Sequence, residues 1–323
     1  MRVAKVALVL VLFSSVVIVA CDSEESSANS KGPVVDAGPD VPSSDAGGDA
    51  VRTLSFEARV GSEKFSCSRP ATTMGTTSVT VEPLDFRVYV HDVRVVREDG
   101  SEAPFTLVQD GKWQYQGVAL LDFEDKSGTC SNGTTETNTV LRGMVPDGVY
   151  TGVKFRIGVP FSLNHADVAT APSPLNLSGL FWSWNGGYKF ARIDGRVAPL
   201  DAGGGMGTMD DAGDGGMTMP SDTFFLHLGS TECTDDGDGG VASCGRPNVG
   251  EVALTDFDPF QRVIVADYKA LVADTDLETN AGGAPGCMSE ADDPECASIL
   301  PHLGVNASTG QPDASGQALF RVE

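Results

Sequence analysis

The chain has 323 residues, a formal net charge of −23 at pH 7 and 41% hydrophobic residues. This length predicts one large domain or two small ones once any targeting segment is removed. The strong negative charge, together with a sequence that contains no basic cluster, excludes nucleic acid as a partner.

The chain begins with a secretory signal. Arg2 and Lys5 precede an apolar run over residues 6–20, which is too short to span a membrane. Cys21 follows this run directly, as in bacterial lipoprotein signals, where the cysteine is lipid-modified and becomes the new N-terminus. An ordinary signal peptide with a chance cysteine is the alternative. We expect removal of residues 1–20 and a lipid-anchored protein in the periplasm or at the cell surface.

Residues 21–51 are predicted to be a disordered acidic tether. They are rich in Ser, Gly, Pro and Asp, and such a segment buries too little apolar surface to offset its ordering entropy. Residues 52–323 then form the folded domain. Within it, residues 198–222 are a low-complexity insertion of Gly, Asp and Met. Its four thioethers could bind Cu(I), a soft ion, although low-complexity drift also explains them.

The rest of the domain has the pattern of an all-β protein. In residues 79–96 apolar and polar residues alternate as in a half-buried strand, and the register flips after His91, which indicates a β-bulge. Short helical turns are predicted only at residues 166–169 and 268–273. The fold class is therefore an antiparallel β-sandwich, a single domain with long loops and disulfides. Further strands are predicted at residues 54–60, 105–107, 118–122, 140–144, 152–159, 189–197, 223–228, 251–256 and 263–268.

Six cysteines remain once Cys21 is set aside. An even number in an exported protein predicts three disulfides, although parity does not fix the pairing. No Cys-x-x-Cys pair occurs, which disfavours a zinc site. We predict the pairs Cys67–Cys130, Cys233–Cys244 and Cys287–Cys296, of which the last two close short acidic loops.

Two of the three tryptophans lie in one short segment, as Trp182 and Trp184. In an extended strand these two indoles would lie on the same face, and Gly186-Gly187 would supply a turn to a second strand. A core hairpin filled by two tryptophans is the simpler alternative. Trp113 lies outside this segment and is expected in the core.

The four histidines are His91, His165, His227 and His302. Each taken alone fits a core or surface position, and no His-x-His or His-x-x-x-His pair occurs. Several imidazoles would suit copper or zinc if the fold gathers them. Nucleophile-elbow, phosphate-loop, haem-attachment and zinc-protease motifs do not occur, so no catalytic residue is predicted and the protein is not expected to be an enzyme.

Five segments, taken together and in this order, resemble the MbnP family, which comprises exported metallo-mystery-pair proteins with a Trp-x-Trp and a four-cysteine motif. The resemblance runs from about residue 54 to residue 304 and leaves out the tether, the Met-rich insertion and His302. The five segments are 85–94, 118–125, 158–167, 181–190 and 225–230.

The resemblance implies copper binding outside the cytoplasm, in copper uptake or handling. It also implies a partner, an MbnH-type di-haem enzyme of the MauG/cytochrome c peroxidase class, which converts a tryptophan to kynurenine. Opening the indole exposes an aryl amine and a ketone as donor atoms. Carried over to this chain, the copper site would comprise His91, His165, His227, Trp182 and Trp184, with either tryptophan as the modified residue.

Two other functions remain open at this point. Exposed Trp182, Trp184 and Tyr188 could form a stacking platform for sugars on a surface β-sandwich. A copper oxidoreductase is the other alternative, but blue-copper sites need a cysteine thiolate and the cysteines here are predicted to be paired or lipidated.

Overall fold

The structure is a computed structural model that describes residues 48–68, 72–183, 187–198, 222–281 and 283–323. Cys21, the signal segment, most of the tether and most of the Met-rich insertion lie outside the described residues. The first strands are β1 (Ala50–Val60), β2 (Glu63–Lys64), β3 (Thr72–Met74), β4 (Val79–Arg97), β5 (Glu102–Pro104), β6 (Thr106–Leu107), β7 (Gln114–Tyr115), β8 (Val118–Asp122), β9 (Val140–Val145) and β10 (Tyr150–Ile157).

The second half of the chain carries the remaining elements. Its strands are β11 (Phe181–Trp182), β12 (Gly187–Tyr188), β13 (Ala191–Ala198), β14 (Thr223–Leu228), β15 (Thr231–Asp235), β16 (Val241–Arg246), β17 (Gly250–Thr255), β18 (Val263–Asp267), β19 (Gly286–Cys287) and β20 (Phe320–Val322). The helices are α1 (Phe161–Asn164), α2 (Tyr268–Leu271) and α3 (Cys296–His302), and single 3₁₀ turns occur at Ser178–Leu180 and Ala314–Gly316.

Two large sheets form the body of the domain, which confirms the predicted all-β sandwich. The first sheet has the order β20-β18-β1-β9-β6, and β2 pairs with β1. The second sheet is built around β4 and includes β10, β13, β14 and β17. Most pairings are antiparallel as predicted, but β1 pairs with β18 and β14 pairs with β19 in parallel.

Aromatic side chains fill the space between the two sheets. Phe56 on β1 and Phe155 on β10 meet edge to face, with ring centroids 6.0 Å apart. Phe320 on β20 lies 5.0 Å from Phe155 in the same geometry. These three rings are almost fully buried, and edge-to-face packing of this kind stabilises a core beyond its area burial.

The strand β4 is the axis of the second sheet, and its neighbours on one edge are β10 and β13, placed end to end. The amide of Gly158 donates to the carbonyl of Tyr89 (2.8 Å), and the amide of Tyr89 donates to the carbonyl of Phe190 (2.8 Å). The chain therefore leaves this edge after β10 and rejoins it just before β13. We call residues 159–189 the excursion loop; its residues 184–186 are not described.

The β-bulge predicted near His91 is confirmed. His91 pairs with Arg156 and Arg94 with Lys154, so β4 contains one residue more than β10 between these pairs. Asp92 takes up the extra length with φ of 49°, a left-handed conformation that aspartate tolerates better than most residues.

The sequence predicted the helices less accurately than the strands. The turn at residues 268–273 is confirmed by α2, whose first turn is capped by the Asp267 carboxylate. At residues 166–169 the chain forms part of a hydrogen-bonded turn from Asp167 to Ala171 rather than a helix, and the helix α1 ends before it, at Asn164. The helix α3 was missed, since a seven-residue helix with Pro301 inside it has too short an apolar pattern to recognise. Among the described residues, no helix is both long and apolar enough to cross a membrane.

All three predicted disulfides are present, as Cys67–Cys130, Cys233–Cys244 and Cys287–Cys296. The cysteines of the first and third pairs are each at most 2% exposed. The second pair joins directly opposed residues of the β15–β16 hairpin and is only partly buried.

Candidate metal centre on the excursion loop

The Trp-x-Trp segment forms a short hairpin at the end of the excursion loop. Trp182 on β11 pairs with Gly187 on β12, which confirms the predicted hairpin, although Gly187 lies in the second strand rather than in the turn. The strand ends at Trp182, and Ser183 is a turn residue. Trp184 lies outside the described residues.

The indole of Trp182 is buried against the backbone of Gly229. A Cβ atom placed on Gly229 would lie 2.3 Å from Cζ3 of Trp182 and 2.9 Å from the carbonyl oxygen of Tyr188. Real Cβ atoms do not approach this closely, so only glycine allows the hairpin to pack here. The indole itself is 6% exposed.

We therefore expect Gly229→Ala to displace Trp182 and destabilise the fold by about 1–3 kcal/mol, the usual cost of overpacking. The matched control is Gly48→Ala, because a Cβ at Gly48 would meet nothing within 4 Å. Urea unfolding gives the free energy, and tryptophan fluorescence reports the environment of the indole. Equal stability and an unchanged emission spectrum in the two variants would contradict this packing.

His227 on β14 lies beside Trp182, with ring centroids 6.3 Å apart. Its Nε2 lies 3.0 Å from Oδ1 of Asp194 on β13. Burial lowers the pKa of His227 despite the nearby carboxylate, so the imidazole is neutral at physiological pH. Nε2 of His227 and Oδ1 of Asp194 are close but are not aligned as a hydrogen bond. A tautomer with the proton on Nε2 faces the carboxylate and leaves the lone pair on Nδ1, as in metal-binding histidines that have an outer carboxylate beside them.

A buried network of charges holds Asp194 in turn. Nε of Arg192 donates to Oδ2 of Asp194 (2.7 Å) and lies 3.1 Å from Oδ2 of Asp85. Nε of Arg87 donates to Oδ1 of Asp85 (2.8 Å). Burial opposes ionisation of Asp194, but His227 and Arg192 together lower its pKa. The Arg192 guanidinium therefore holds the carboxylate beside His227 in place.

Asp122 on β8 is opposite Arg87 and belongs to the same buried face. Burial raises its pKa to about 8, against the effect of Arg87. Between its usual pKa and about 8, the folded protein keeps this proton and the unfolded chain releases it. The contribution of Asp122 to stability is therefore full at low pH and is lost as the pH rises.

We expect Asp122→Asn to remove this pH dependence. The slope due to Asp122 is at most about 1.4 kcal/mol per pH unit, so the variant should gain stability relative to the parent between pH 5.5 and pH 7.5. Urea unfolding at the two pH values measures the difference. If parent and variant lose stability in parallel over this interval, Asp122 is ionised in the folded state and this interpretation is wrong.

His165 lies just after α1 and contacts the other strand of the hairpin. A Cβ placed on Gly187 would lie 3.3 Å from Cε1 and 3.4 Å from Nδ1 of His165. The amide of Asn164 donates to Nε2 of His165 (3.1 Å), while its oxygen accepts from the backbone of Tyr188 (2.9 Å). The structure therefore brings His165 and His227 to the same hairpin, His165 at Gly187 and His227 at Trp182.

His91 lies on the face of β4 that carries Asp85 and Arg87, but it is further from the hairpin. Its Nδ1 donates to the carbonyl of Gly158 (2.9 Å), where the excursion loop begins. Burial lowers its pKa to about 4, so it is neutral and Nε2 is its acceptor nitrogen. Arg87 forms a cross-strand row with Arg192 and His227, and His91 is four residues beyond Arg87, roughly 13 Å along the strand.

His302, which was predicted to lie outside the site, has both ring nitrogens committed elsewhere. Nδ1 donates to the carbonyl of Leu271 (2.8 Å), and Nε2 lies 3.3 Å from Oδ2 of Asp274. It is therefore the natural control residue for histidine substitutions.

The buried histidines are suited to a metal ion but do not complete a site. Neutral imidazoles with the second nitrogen bonded to the protein are the usual ligands of copper and zinc. Among the described residues, each group of three close histidine, cysteine or carboxylate ligand atoms includes both sulfurs of a disulfide. A metal at the hairpin would therefore need a donor other than these side chains in their present form.

Burial at the hairpin contradicts the sugar-platform alternative. Trp182 is 6% exposed and Tyr188 is fully buried, with its hydroxyl donating to the carbonyl of Leu175. A stacking platform must present its ring face to solvent, and neither ring does.

The family model that matches the chain is that of MbnP, over residues 49–289. The chain belongs to the MbnP family. Among solved structures, MbnP from Methylosinus trichosporium matches with a TM-score of 0.70 and 28% identity, covering 85% of this chain and 98% of that one. No curated protein matches the chain. Membership of the MbnP family makes this chain a metallo-mystery-pair protein.

Sequence reasoning missed the residues that hold His227. Asp85 and Arg87, like Arg192 and Asp194, are spaced two apart on their strands and so share a face. This repeated spacing of an acidic and a basic residue was the sequence signal for the charged network. The alternation of polar and apolar residues in β4 predicted instead that the polar side of the strand faces solvent.

Proposed function

We propose that this protein binds copper outside the cytoplasm, at the hairpin that contains Trp182, and acts in copper uptake or handling. The observation that carries the proposal is the contact between Trp182 and the neutral imidazole of His227, whose Nε2 lies 3.0 Å from Oδ1 of Asp194. His165 at Gly187 is the second imidazole of the site, and His91 on the same face of the sheet is the third candidate. Membership of the MbnP family supports a metal-binding role.

Copper fits this set of donors for chemical reasons. Neutral imidazoles are borderline ligands, and copper binds nitrogen donors more tightly than the other divalent first-row metals. The buried charges on this face, including Arg87 and Arg192 with Asp85 and Asp194, are largely paired with one another. The site therefore attracts copper through its donor atoms rather than through a surplus of negative charge.

The missing donor comes, in this proposal, from Trp182 itself. A partner di-haem enzyme of the MbnH type, using two molecules of hydrogen peroxide as oxidant, cleaves the C2–C3 bond of the indole and adds two oxygen atoms. Both peroxide molecules are reduced to water in the process. Hydrolysis of the resulting formyl group releases formate and leaves kynurenine, with an aryl amine and a ketone. The contact with His227 favours Trp182 as the converted residue, with Trp184 as the alternative outcome.

The protein is thus a substrate of its partner rather than a catalyst, and Cys21 anchors it to a membrane through lipid. The three disulfides fit an oxidising compartment, and the N-terminal signal with Cys21 carries the assignment to the periplasm or cell surface.

Expression of the chain with and without the di-haem enzyme tests this function. Peptide sequencing by mass spectrometry should find kynurenine at residue 182 only when the partner is present, and only that form should bind copper tightly in a competition titration. Unmodified tryptophan in the co-expressed protein, with no tight copper site, would overturn the proposal.

A further inference from the structure

The disulfide Cys233–Cys244 differs from the other two in its surroundings. Both of its cysteines are partly exposed, whereas each cysteine of the other two disulfides is at most 2% exposed. A dithiol in solution therefore reaches this disulfide first, because thiol–disulfide exchange requires direct attack on sulfur.

His165 lies directly against this disulfide. Its Nε2 is 3.6 Å from Sγ of Cys244, and one nitrogen of His165 and the two sulfurs all lie within 4.8 Å of one another. In a tetrahedral site with metal–sulfur bonds of about 2.3 Å and metal–nitrogen bonds of about 2.0 Å, neighbouring donor atoms are about 3.5–3.8 Å apart. The distance from His165 to Cys244 already has this value.

We infer that Cys233, Cys244 and His165 form a redox-gated site for a thiophilic d¹⁰ ion of the Zn²⁺ or Cu(I) class. While the disulfide is closed the site does not exist. Reduction by a dithiol opens it. The two thiolates and Nε2 of His165, which gives up its hydrogen bond from the Asn164 amide, then bind the ion, with a water molecule in the fourth position.

The chemistry balances with a dithiol as the reductant. Its first sulfur attacks the disulfide and forms a mixed disulfide, and its second sulfur displaces the protein thiol. The reductant ends as a disulfide, and the S–S bond between Cys233 and Cys244 is replaced by two thiols. Binding of the ion then releases the two thiol protons.

The hairpin holds the two thiols together after reduction. On either side of the cysteines, Thr231 pairs with Arg246 and Thr234 pairs with Ser243. Oγ1 of Thr234 also lies 3.1 Å from Oγ of Ser243 and 3.3 Å from its carbonyl oxygen. These contacts do not depend on the S–S bond, so the ligands need only side-chain rotation to separate and bind the ion.

The inference goes beyond the proposed copper function and does not require a modified tryptophan. The two sites share only His165, which lies between the hairpin at Gly187 and the disulfide at Cys244. A reduced protein that loads the thiolate site would withdraw His165 from the site at Trp182, so the redox state would control the occupancy of both.

The test uses the full chain treated briefly with limiting dithiothreitol, which is then removed without air. A thiol assay should find two more thiols per chain than in the untreated protein, at Cys233 and Cys244. Titration with Co²⁺ should produce the sulfur-to-cobalt charge-transfer absorption, and Zn²⁺ should displace the cobalt. The untreated protein should show no such absorption. If the thiols appear at another pair first, or appear here without the absorption, the inference is wrong.

Matched variants separate this site from the proposed copper site. His165→Ala should weaken Co²⁺ binding by at least about tenfold, the lower end of what even an outer partner of a metal ligand costs, whereas His302→Ala should not change it. Trp182→Phe removes the tryptophan-derived donor and should leave the charge-transfer absorption intact. Loss of the absorption in Trp182→Phe, or its retention in the double variant Cys233→Ser/Cys244→Ser, would refute the assignment.

Discussion

Trp182→Phe should abolish the tight copper binding that we propose for the protein co-expressed with the di-haem enzyme. Phenylalanine fills part of the indole's place but cannot be opened to an amine and a ketone, so the donor derived from residue 182 is lost. Because loss of a mere outer partner of a metal ligand costs about 10–100-fold in affinity, loss of this donor should cost at least about 100-fold. A competition titration with a chromophoric copper chelator measures the change.

The matched control is Trp113→Phe. Trp113 is distant in sequence from the Trp-x-Trp segment. It is partly buried, and the ammonium of Lys112 lies 4.9 Å from its ring centroid. This variant should retain the affinity of the parent. Urea unfolding should show that Trp182→Phe stays folded, at a cost well under that of a full aromatic truncation, about 3–5 kcal/mol. Full copper affinity in Trp182→Phe would contradict the role of this residue and would turn attention to Trp184.

His227→Gln should have the second largest effect on copper binding. The glutamine amide has a donor that can still reach Asp194, so the buried carboxylate keeps a partner, but no lone-pair nitrogen remains to bind the metal. We expect affinity to fall at least about tenfold while the fold is retained. Circular dichroism and the same chelator competition separate loss of the ligand from loss of structure.

His302→Gln is the control for this substitution, because both ring nitrogens of His302 are bonded within the protein at a distance from the hairpin. Its affinity should equal that of the parent. If His227→Gln also binds copper like the parent, His227 supports the packing of Trp182 and is not a ligand.

Local pattern was enough to predict most of the sheet. The strands β8 and β14 begin and end at the predicted residues, and β4 does so within one residue. The bulge after His91 was visible because a register flip changes which positions are apolar. The paired cysteines Cys233 and Cys244 were also predictable, since the short span between them suits a hairpin.

The burial of β4 could not be predicted in the same way. Asp85 and Arg87 alternate with apolar residues, as in a strand with one solvent-exposed face, yet both side chains are at most 2% exposed. The excursion loop lies over that face: the hydroxyl of Tyr89 donates to the carbonyl of Pro174 (2.6 Å), and Tyr188 packs against the Tyr89 ring. The alternation of polar and apolar residues shows which face of a strand is polar. It does not show whether another segment of the chain covers that face.

The candidate site, like the sheet, has features that the sequence predicts and features that only the structure shows. Residue types and a family resemblance selected Trp182, His165 and His227, but only the fold shows that His227 contacts the indole and that Asp194 lies beside its Nε2. These contacts join residues far apart in sequence, through the register of β13 with β14. No spacing within a single segment carries that information, so the buried acid-base network had to be found in the structure.

Copper-edge anomalous diffraction on crystals of the matured, copper-loaded protein tests the central claim most directly. We predict one strong peak at the hairpin, about 2.0–2.1 Å from a ring nitrogen of His227 and of His165 and next to an opened ring at residue 182. A peak at another place, or a copper ion beside an intact Trp182 indole, would contradict the account.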